Sequence, residues 1–422
     1  MTDLNIGESS VRVRTSCRAC DGSLQRIVAD LGDQPPANAY LESIAAAAAE
    51  KRYPLRARVC DVCKLVQVDC DVPPQELFDN YAYFSSYSES WLGHARSYCE
   101  MARIRFALSK DSLVIELASN DGYLLKNFVA AGIPVIGIDP SDTVAAAAVS
   151  AGVPTLVEFF GVTLAERLAS EDRKADLIIG NNVLAHVPDI NDFVGGMAVA
   201  LKAQGTITLE FPHLLRLIEH VEFDTIYHEH YSYISLLAVE RILERQGLRV
   251  FDIEEIPTHG GSLRVFACHA DRKDATESEA LQKVRDDEKR AGLADLNTYS
   301  EFASQVERCR ESVRNFLAEA KRDGKTVAAY GAAAKGNTLL NFCGVTSEDV
   351  CMVADRNPHK QHRLLPGTHI PIVSPEEVLS FRPDYVWILP WNLKTEIMKQ
   401  LAEVRSWGGR FVTAIPHVEI IE

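Results

Sequence analysis

An α/β fold in three parts is predicted by three observations. Two CxxC pairs, Cys17 with Cys20 and Cys60 with Cys63, mark a small N-terminal module. Between residues 113 and 267 short apolar runs alternate with helical stretches, the pattern of a parallel sheet covered on both faces. From Lys325 the alternation begins again, giving a second Rossmann-like unit. A chain of 422 residues, 47% hydrophobic, is too long for one ordinary core, so two or three domains are expected.

The Cys-bearing module runs from about Thr15 to Asp71. Each CxxC bends in a tight knuckle that aims two sulfurs at one point, and two knuckles supply four thiolates to a tetrahedral zinc. Four protein ligands leave no open position, so the metal's role is structural; a redox CxxC is the other reading. Ten cysteines in this length are too sparse for a secreted disulfide framework. Gln34-Pro35-Pro36-Ala37-Asn38-Ala39-Tyr40 has the chemistry of a loop. The aromatic stretch Tyr81 to Trp91 leads into a helix predicted over Met101 to Leu108.

Strands are predicted at Leu113 to Leu117, Val135 to Ile138, Asp176 to Ile179 and Thr206 to Glu210, with helices at Tyr123 to Ala131, Val144 to Ala151 and Ile190 to Ala203. Gly247 to Ile253 and Ser262 to Ala267 read as a closing antiparallel pair. The charged stretch Ala275 to Lys321 reads as a solvated helix or linker. Val327 to Tyr330 is a strand, Gly331 to Gly336 a small-residue turn, and a helix follows to Phe342. Val350 to Ala354, Val386 to Leu389 and Arg410 to Ala414 are the further strands.

A net charge of −15 repels phosphate backbones and argues against a nucleic-acid partner. The polar start, Met1 to Ser10, lacks a signal pattern, and no apolar run reaches membrane-spanning length. A cytoplasmic enzyme is expected, with no membrane partner.

Two segments carry chemistry. Glu116-Leu117-Ala118-Ser119-Asn120-Asp121-Gly122 has strand–turn–helix logic, with small residues that let backbone pass close to a ligand. Asp139, at the end of the next strand, is placed to accept the ribose hydroxyls of an adenosine. A dinucleotide site would show GxGxxG; one glycine with Asn120 and Asp121 better suits S-adenosylmethionine, which is cationic and lacks phosphate. Asn181 and Asn182 add to this edge. The second segment, Asp224 to Tyr233, gathers Tyr227, His228, Glu229, His230, Tyr231 and Tyr233. Carbon methylation beside a carbonyl needs a base for the carbon-bound proton and a donor for the enolate; histidine suits the first and tyrosine or a second histidine the other. A surface loop with incidental histidines is the bland alternative. His186 and Tyr81 are further candidates.

These residues resemble the nucleotide-sugar C-methyltransferases of deoxysugar biosynthesis, including the branch that methylates carbon 3 of a 4-keto amino sugar on the route to tetronitrose. The resemblance is carried by the CxxC pairs, Tyr81 to Ser88, Glu116 to Gly122, Asn181 to Pro188, Tyr227 to His230, His259 to Arg264, Tyr330 to Asn337, Asp355 to Pro358 and Pro366 to Pro371. It implies a zinc module (1–75), a class I methyltransferase domain (76–270) and a C-terminal domain (271–422) that helps hold a nucleotide-diphosphate keto sugar. By motif match His230 would be the general base, with Tyr227, Glu229, His186 and Tyr81 lining the sugar pocket. His259 and Asn337 fall in matched motifs, and Lys335 and Arg356 would supply charge to a diphosphate. Ala118 departs from the pattern, which has glycine there; a methyl group is tolerable if the backbone angle is ordinary. A monomer or weak homo-oligomer is expected. The alternatives kept open are a non-sugar ketone acceptor and a nicotinamide-dependent sugar oxidoreductase.

Overall fold

The computed structural model describes residues 2–6, 9–73, 77, 86 and 89–422. Tyr81 lies outside the described residues.

The N-terminal part contributes β1 (Thr2–Ile6), β2 (Ser9–Val13), β3 (Arg26–Gln34), β4 (Tyr53–Val59), β5 (Val66–Val68) and β6 (Cys70–Asp71). β4 alternates buried and half-buried residues along its length, as a strand with one covered face should.

The central part contributes β7 (Val114–Leu117), β8 (Val135–Ile138), β9 (Thr155–Leu156), β10 (Ala175–Asn181), β11 (Leu201–Pro212), β12 (Ser232–Tyr233), β13 (Leu248–Ile256) and β14 (Ser262–His269). Seven of these form one sheet in the order β13-β14-β11-β10-β7-β8-β9. Its pairs are parallel except at β14, which runs antiparallel to both β11 and β13. β7 and β8 are buried at every residue, which explains their apolar sequence, broken in β7 only by Glu116. The chain steps outward from β7 through β8 to β9, then restarts at β10 on the other side. The carboxyl ends of β7 and β10 therefore flank the crevice where open α/β sheets bind ligands. β12 leaves this sheet and pairs with β5 of the N-terminal part, giving the order β12-β5-β4-β3.

The C-terminal part repeats the plan with β15 (Val327–Tyr330), β16 (Val353–Ala354), β17 (Ile372–Val373), β18 (Tyr385–Ile388), β19 (Arg410–Thr413) and β20 (Glu419–Ile421), in the order β17-β16-β15-β18-β19-β20. Its switch point lies between β15 and β18.

The stretch read as a solvated helix or linker is instead two helices, Glu279–Arg290 and Leu296–Arg322. The second buries Tyr299, Phe302, Val306, Cys309, Val313 and Phe316, spaced three and four apart. Its charges occupy the other face. Each such side chain contributes about 1.5–3 kcal/mol when buried, so the stripe outweighs the average polarity of the segment. This helix lies in one core with Val28 and Leu55 of the N-terminal part and Leu339 and Trp387 of the C-terminal part. A second core joins Cys17, Cys60 and Leu65 to Leu184, Ile190 and Leu236 of the central part. Among the described residues no helix is long and apolar enough to cross a membrane.

Candidate active site

The two cysteine knuckles share one backbone pattern. Cys17 N–H donates to Gly22 O and Asp21 N–H to Cys17 O; Cys60 N–H donates to Leu65 O and Lys64 N–H to Cys60 O. Asp21 and Lys64 adopt φ of 59° and 63°, the left-handed step that closes each turn. The four sulfurs lie within 4.8 Å of one another. A tetrahedral zinc with bonds of about 2.3 Å separates its sulfurs by about 3.8 Å, so the donor set and its spacing fit the metal. Backbone amides of Ala19 and Val62 and the amide of Gln67 point at Cys17 or Cys60 sulfurs, as partners of thiolates do. Cys17, Cys20, Cys60 and Cys63 are the residues that would hold the ion.

At the end of β7 the turn carries Ala118, Asn120 and Gly122 at φ of 56°, 49° and 76°. The angle at Ala118 is thus not an ordinary one, and the methyl group sits in the left-handed region. The folded turn brings Asn120 N–H to Asp139 Oδ2 at 3.0 Å, while Ser141 N–H meets Asp139 Oδ1 at 3.0 Å. Asp139 is thereby fixed, with lone pairs left on both oxygens. Burial, then Asp139 and Asp121, hold Glu116 well above the usual carboxylate range. Burial also raises Asp139. Glu116 Oε2, Ser119 Oγ, Asp121 Oδ1, Asn181 Oδ1 and both polar atoms of the Asn182 side chain are buried with no hydrogen-bond partner among the described residues. Such a gathering is costly unless a ligand satisfies it. Glu116 and Asp121, beside the turn, suit the sulfonium and amino groups of S-adenosylmethionine, and Asp139 suits its ribose.

The segment between β11 and β12 carries the second cluster. His230 Nδ1 donates to Thr225 O at 3.0 Å, which assigns its proton to Nδ1 and leaves Nε2 as an acceptor. The Tyr227 hydroxyl lies 2.8 Å from that Nε2. The His186 ring stands edge-on to His230 with centroids 4.7 Å apart. Burial, then His186, depress His230 well below its ordinary value, and burial takes His186 to about 4. Both imidazoles are neutral at neutral pH. Glu229, pushed up to about 7 by burial, bonds Asn38 rather than His230. His228 turns away, its Nε2 lying 3.3 Å from Tyr53 O.

The two clusters adjoin. His186 lies four residues beyond Asn182, and Trp91 stacks near Tyr123, next to the turn after β7, while its edge meets His259. His259 is exposed, and Lys335 is among the groups that lower its imidazole. Lys335 Nζ lies 4.7 Å over the Trp391 ring and 3.5 Å from Asn392 Oδ1. It faces Glu222 and Asp224, pushed up to about 7 and about 6 by burial and partly restored by Lys335. Asn337 is committed elsewhere: it is buried and its amide donates to Ala37 O at 2.7 Å. Arg356 is exposed, and Lys360 instead reaches the Gly331–Gly336 turn, donating to Ala332 O at 2.7 Å.

Three features escaped the sequence. Lys360 is one. Another is the network of His94, Glu210 and Arg264, with Glu210 accepting from both neighbours at 3.0 Å. Burial pushes Glu210 up, but His94 and Arg264 outweigh it and leave the carboxylate below its usual range. The third is Trp391, whose indole donates to buried Asp224 at 2.9 Å. An isolated Trp or Lys in a loop carries no periodic signal.

Family models match along most of the chain: a zinc binding domain over residues 17–78, a methyltransferase domain over 91–253 and a C-methyltransferase C-terminal domain over 257–416. The chain is 36% identical over 411 residues to C-methyltransferase NovU of Streptomyces niveus, covering 97% of this chain and 98% of that one. A shorter likeness, 32% over 93 residues, links 22% of the chain to 38% of the ubiquinone biosynthesis O-methyltransferase of Bartonella tribocorum (strain CIP 105476 / IBS 506). Among solved structures, the PH0226 protein of Pyrococcus horikoshii OT3 aligns with 46% of this chain and 98% of its own, at 17% identity and a TM-score of 0.35.

Proposed function

This chain belongs to the C-methyltransferase family and is an S-adenosylmethionine-dependent enzyme with a zinc-binding module; from that premise we propose that its acceptor is a nucleotide-diphosphate-linked 4-keto deoxysugar, methylated at the carbon beside the carbonyl. The nicotinamide-dependent alternative is set aside by the full-length relation to a C-methyltransferase.

The observation that carries the chemistry is His230: a half-buried, neutral imidazole whose Nε2 is the acceptor and is met at 2.8 Å by Tyr227. His230 takes the carbon-bound proton next to the ketone, and the electron pair moves onto the carbonyl oxygen. Tyr227 or His186 stabilises that oxygen. S-adenosylmethionine supplies an electrophilic methyl group held on sulfur. The enolate carbon forms the new C–C bond as the C–S bond breaks, and S-adenosylhomocysteine leaves. Thr225 O fixes the His230 tautomer, and Glu229, bonded to Asn38, forms part of the wall.

In this proposal Glu116, Ala118, Ser119, Asn120, Asp121, Gly122, Asp139, Asn181 and Asn182 hold the cofactor. His259, Lys335 and Arg356 lie toward the nucleotide side, and the boundaries fall near residues 75 and 270. The enzyme works as a monomer or weak homo-oligomer in the cytoplasm.

The test follows the proton. A panel of thymidine-diphosphate 4-keto-6-deoxy sugars is incubated in deuterated water with enzyme and S-adenosylhomocysteine. Deuterium enters the carbon beside the ketone with the wild type and not with His230→Asn. Unimpaired exchange in that variant moves the base elsewhere; no exchange or methylation with any sugar nucleotide, alongside turnover of a simple ketone, moves the acceptor out of the sugar class.

A further inference from the structure

Arg18 stands between two zinc ligands, and its guanidinium is withdrawn from solvent. Burying a guanidinium is expensive unless its donors are well used. Here two of the three nitrogens reach two segments, residues 68–71 and Pro188, while Nε has no hydrogen-bond partner among the described residues. Nη1 donates to Pro188 O at 2.9 Å, Nη2 to Val68 O at 3.2 Å, and Nη2 also meets Asp71 Oδ1 at 3.1 Å. The guanidinium carbon lies 5.1 Å over the Tyr231 ring. Pro188 is two residues past His186, and Tyr231 directly follows His230.

The attachment to the metal knuckle is equally specific. Arg18 N–H donates to Gln67 Oε1 at 2.9 Å, and the Gln67 amide donates to Cys17 Sγ at 3.1 Å. Asn191 Nδ2 holds the carbonyls of both Arg18 and Ala19 at 3.1 Å. Gln67 is itself paired with Ser232 where β5 meets β12, and Val68 N–H donates to Tyr231 O at 3.1 Å. The knuckle, the segment after His186 and the segment after His230 therefore share one set of hydrogen bonds, and Arg18 is their common member.

We propose that Arg18 is a positioning residue: it transmits the fixed geometry of the zinc knuckle to the paired imidazoles of His186 and His230. The inference rests on those histidines being the reacting pair, as proposed above. The zinc module is then more than a folding aid, because it sets the back wall against which both histidine segments are held. Arg18 itself touches neither imidazole.

The experiment uses the full chain loaded with zinc. Arg18→Met keeps the stem and removes every donor; Arg18→Lys keeps the charge but offers a compact head that cannot span Pro188 O, Val68 O and Asp71 together. Metal content, S-adenosylhomocysteine affinity, amide hydrogen exchange and the His230 imidazole nitrogen resonances are measured. The expected result for Arg18→Met is unchanged zinc and unchanged ligand affinity. Amide exchange is at least about tenfold faster in residues 184–188 and 228–233 and unaltered in Val327–Tyr330. The His230 Nε2 signal shifts as its bond to Tyr227 loosens. Arg18→Lys shows the same pattern to a smaller extent.

Wild-type exchange and an unmoved His230 signal in both variants would overturn the proposal. Faster exchange spread evenly over the chain also overturns it, since that is lost stability and not lost positioning. If Arg18→Met fails to fold, Arg18→Lys decides by the same two readouts. If His230→Asn keeps full proton exchange while Arg18→Met loosens both segments, the assignment of the base fails and the positioning role stands.

Discussion

The side-chain amide of Asn38 donates to Glu229 Oε1 at 3.1 Å, across 191 residues of sequence. A loop of the zinc module thus forms part of the wall beside the paired histidines. The same loop reaches the C-terminal part, where Tyr40 donates to Ala332 O at 2.7 Å. All three parts of the chain meet here, and the N-terminal part touches both of the others.

Glu229 gives a pH prediction. Its pKa is raised from 4.5 to about 7 by burial. A carboxyl raised on folding contributes stability that is fully present below about pH 4.5 and is lost as pH rises through about 7. At about 1.4 kcal/mol per unit, the loss is about 3 kcal/mol at most. Glu229→Gln keeps an oxygen for Asn38 and has no proton to lose. Urea unfolding at pH 5 and pH 8 should show the variant gaining on the wild type as pH rises. A pH-independent difference would mean that Glu229 is solvated in solution.

Tyr227→Phe removes the hydroxyl 2.8 Å from His230 Nε2 and leaves the ring stacking in place. Turnover should fall about 100-fold, the lower end of the range for a proton-transfer partner. Cofactor affinity and zinc content should not move. Steady-state kinetics with calorimetry of S-adenosylmethionine separates these, and a loss confined to KM would make the phenol a binding group only.

The fold was readable where burial imposes one pattern on the sequence. Val135–Ile138 and Val327–Tyr330 are strands with the predicted ends, because each is an apolar run buried on both faces. β11 begins at Leu201, inside the predicted helix: Leu201 pairs with Ala175 of β10 although Lys202 and Ala203 have helical propensity. The cysteine cluster was readable because CxxC spacing is itself geometry. The contacts of Asn38, Arg18 and Lys360 were not, since each joins segments far apart in sequence and its residue type is common in loops. Asn337 shows the converse: its motif pointed to substrate, and its side-chain amide donates to Ala37 O.

Asp139→Ala should weaken S-adenosylmethionine about 10–100-fold. Asp139 is held by Asn120 N–H and Ser141 N–H, each at 3.0 Å, and presents its remaining lone pairs where the ribose is proposed to lie. Hydrogen bonds to a charged acceptor contribute about 1.5–3 kcal/mol, which sets this range. Calorimetric titration checks it. An unchanged affinity would move the ribose away from the end of β8.

Ala118 provides the last prediction, because its φ of 56° is one that an L side chain adopts at a cost. That cost is about 1–2 kcal/mol, and glycine at the same place gives back about 0.5–1 kcal/mol through the freedom of the unfolded chain. Ala118→Gly should therefore leave stability unchanged or raise it by up to about 1 kcal/mol. Gly122 is the counterpart, with φ of 76° and a built Cβ only 2.9 Å from a Val153 methyl, so Gly122→Ala adds strain and a clash together. It should lose more than about 1 kcal/mol and lower cofactor affinity with it. Thermal unfolding of both variants beside the wild type compares them directly. If Ala118→Gly destabilises while Gly122→Ala does not, the left-handed turn is not what limits this cradle, and the Ala118 methyl makes a favourable contact that outweighs its backbone strain.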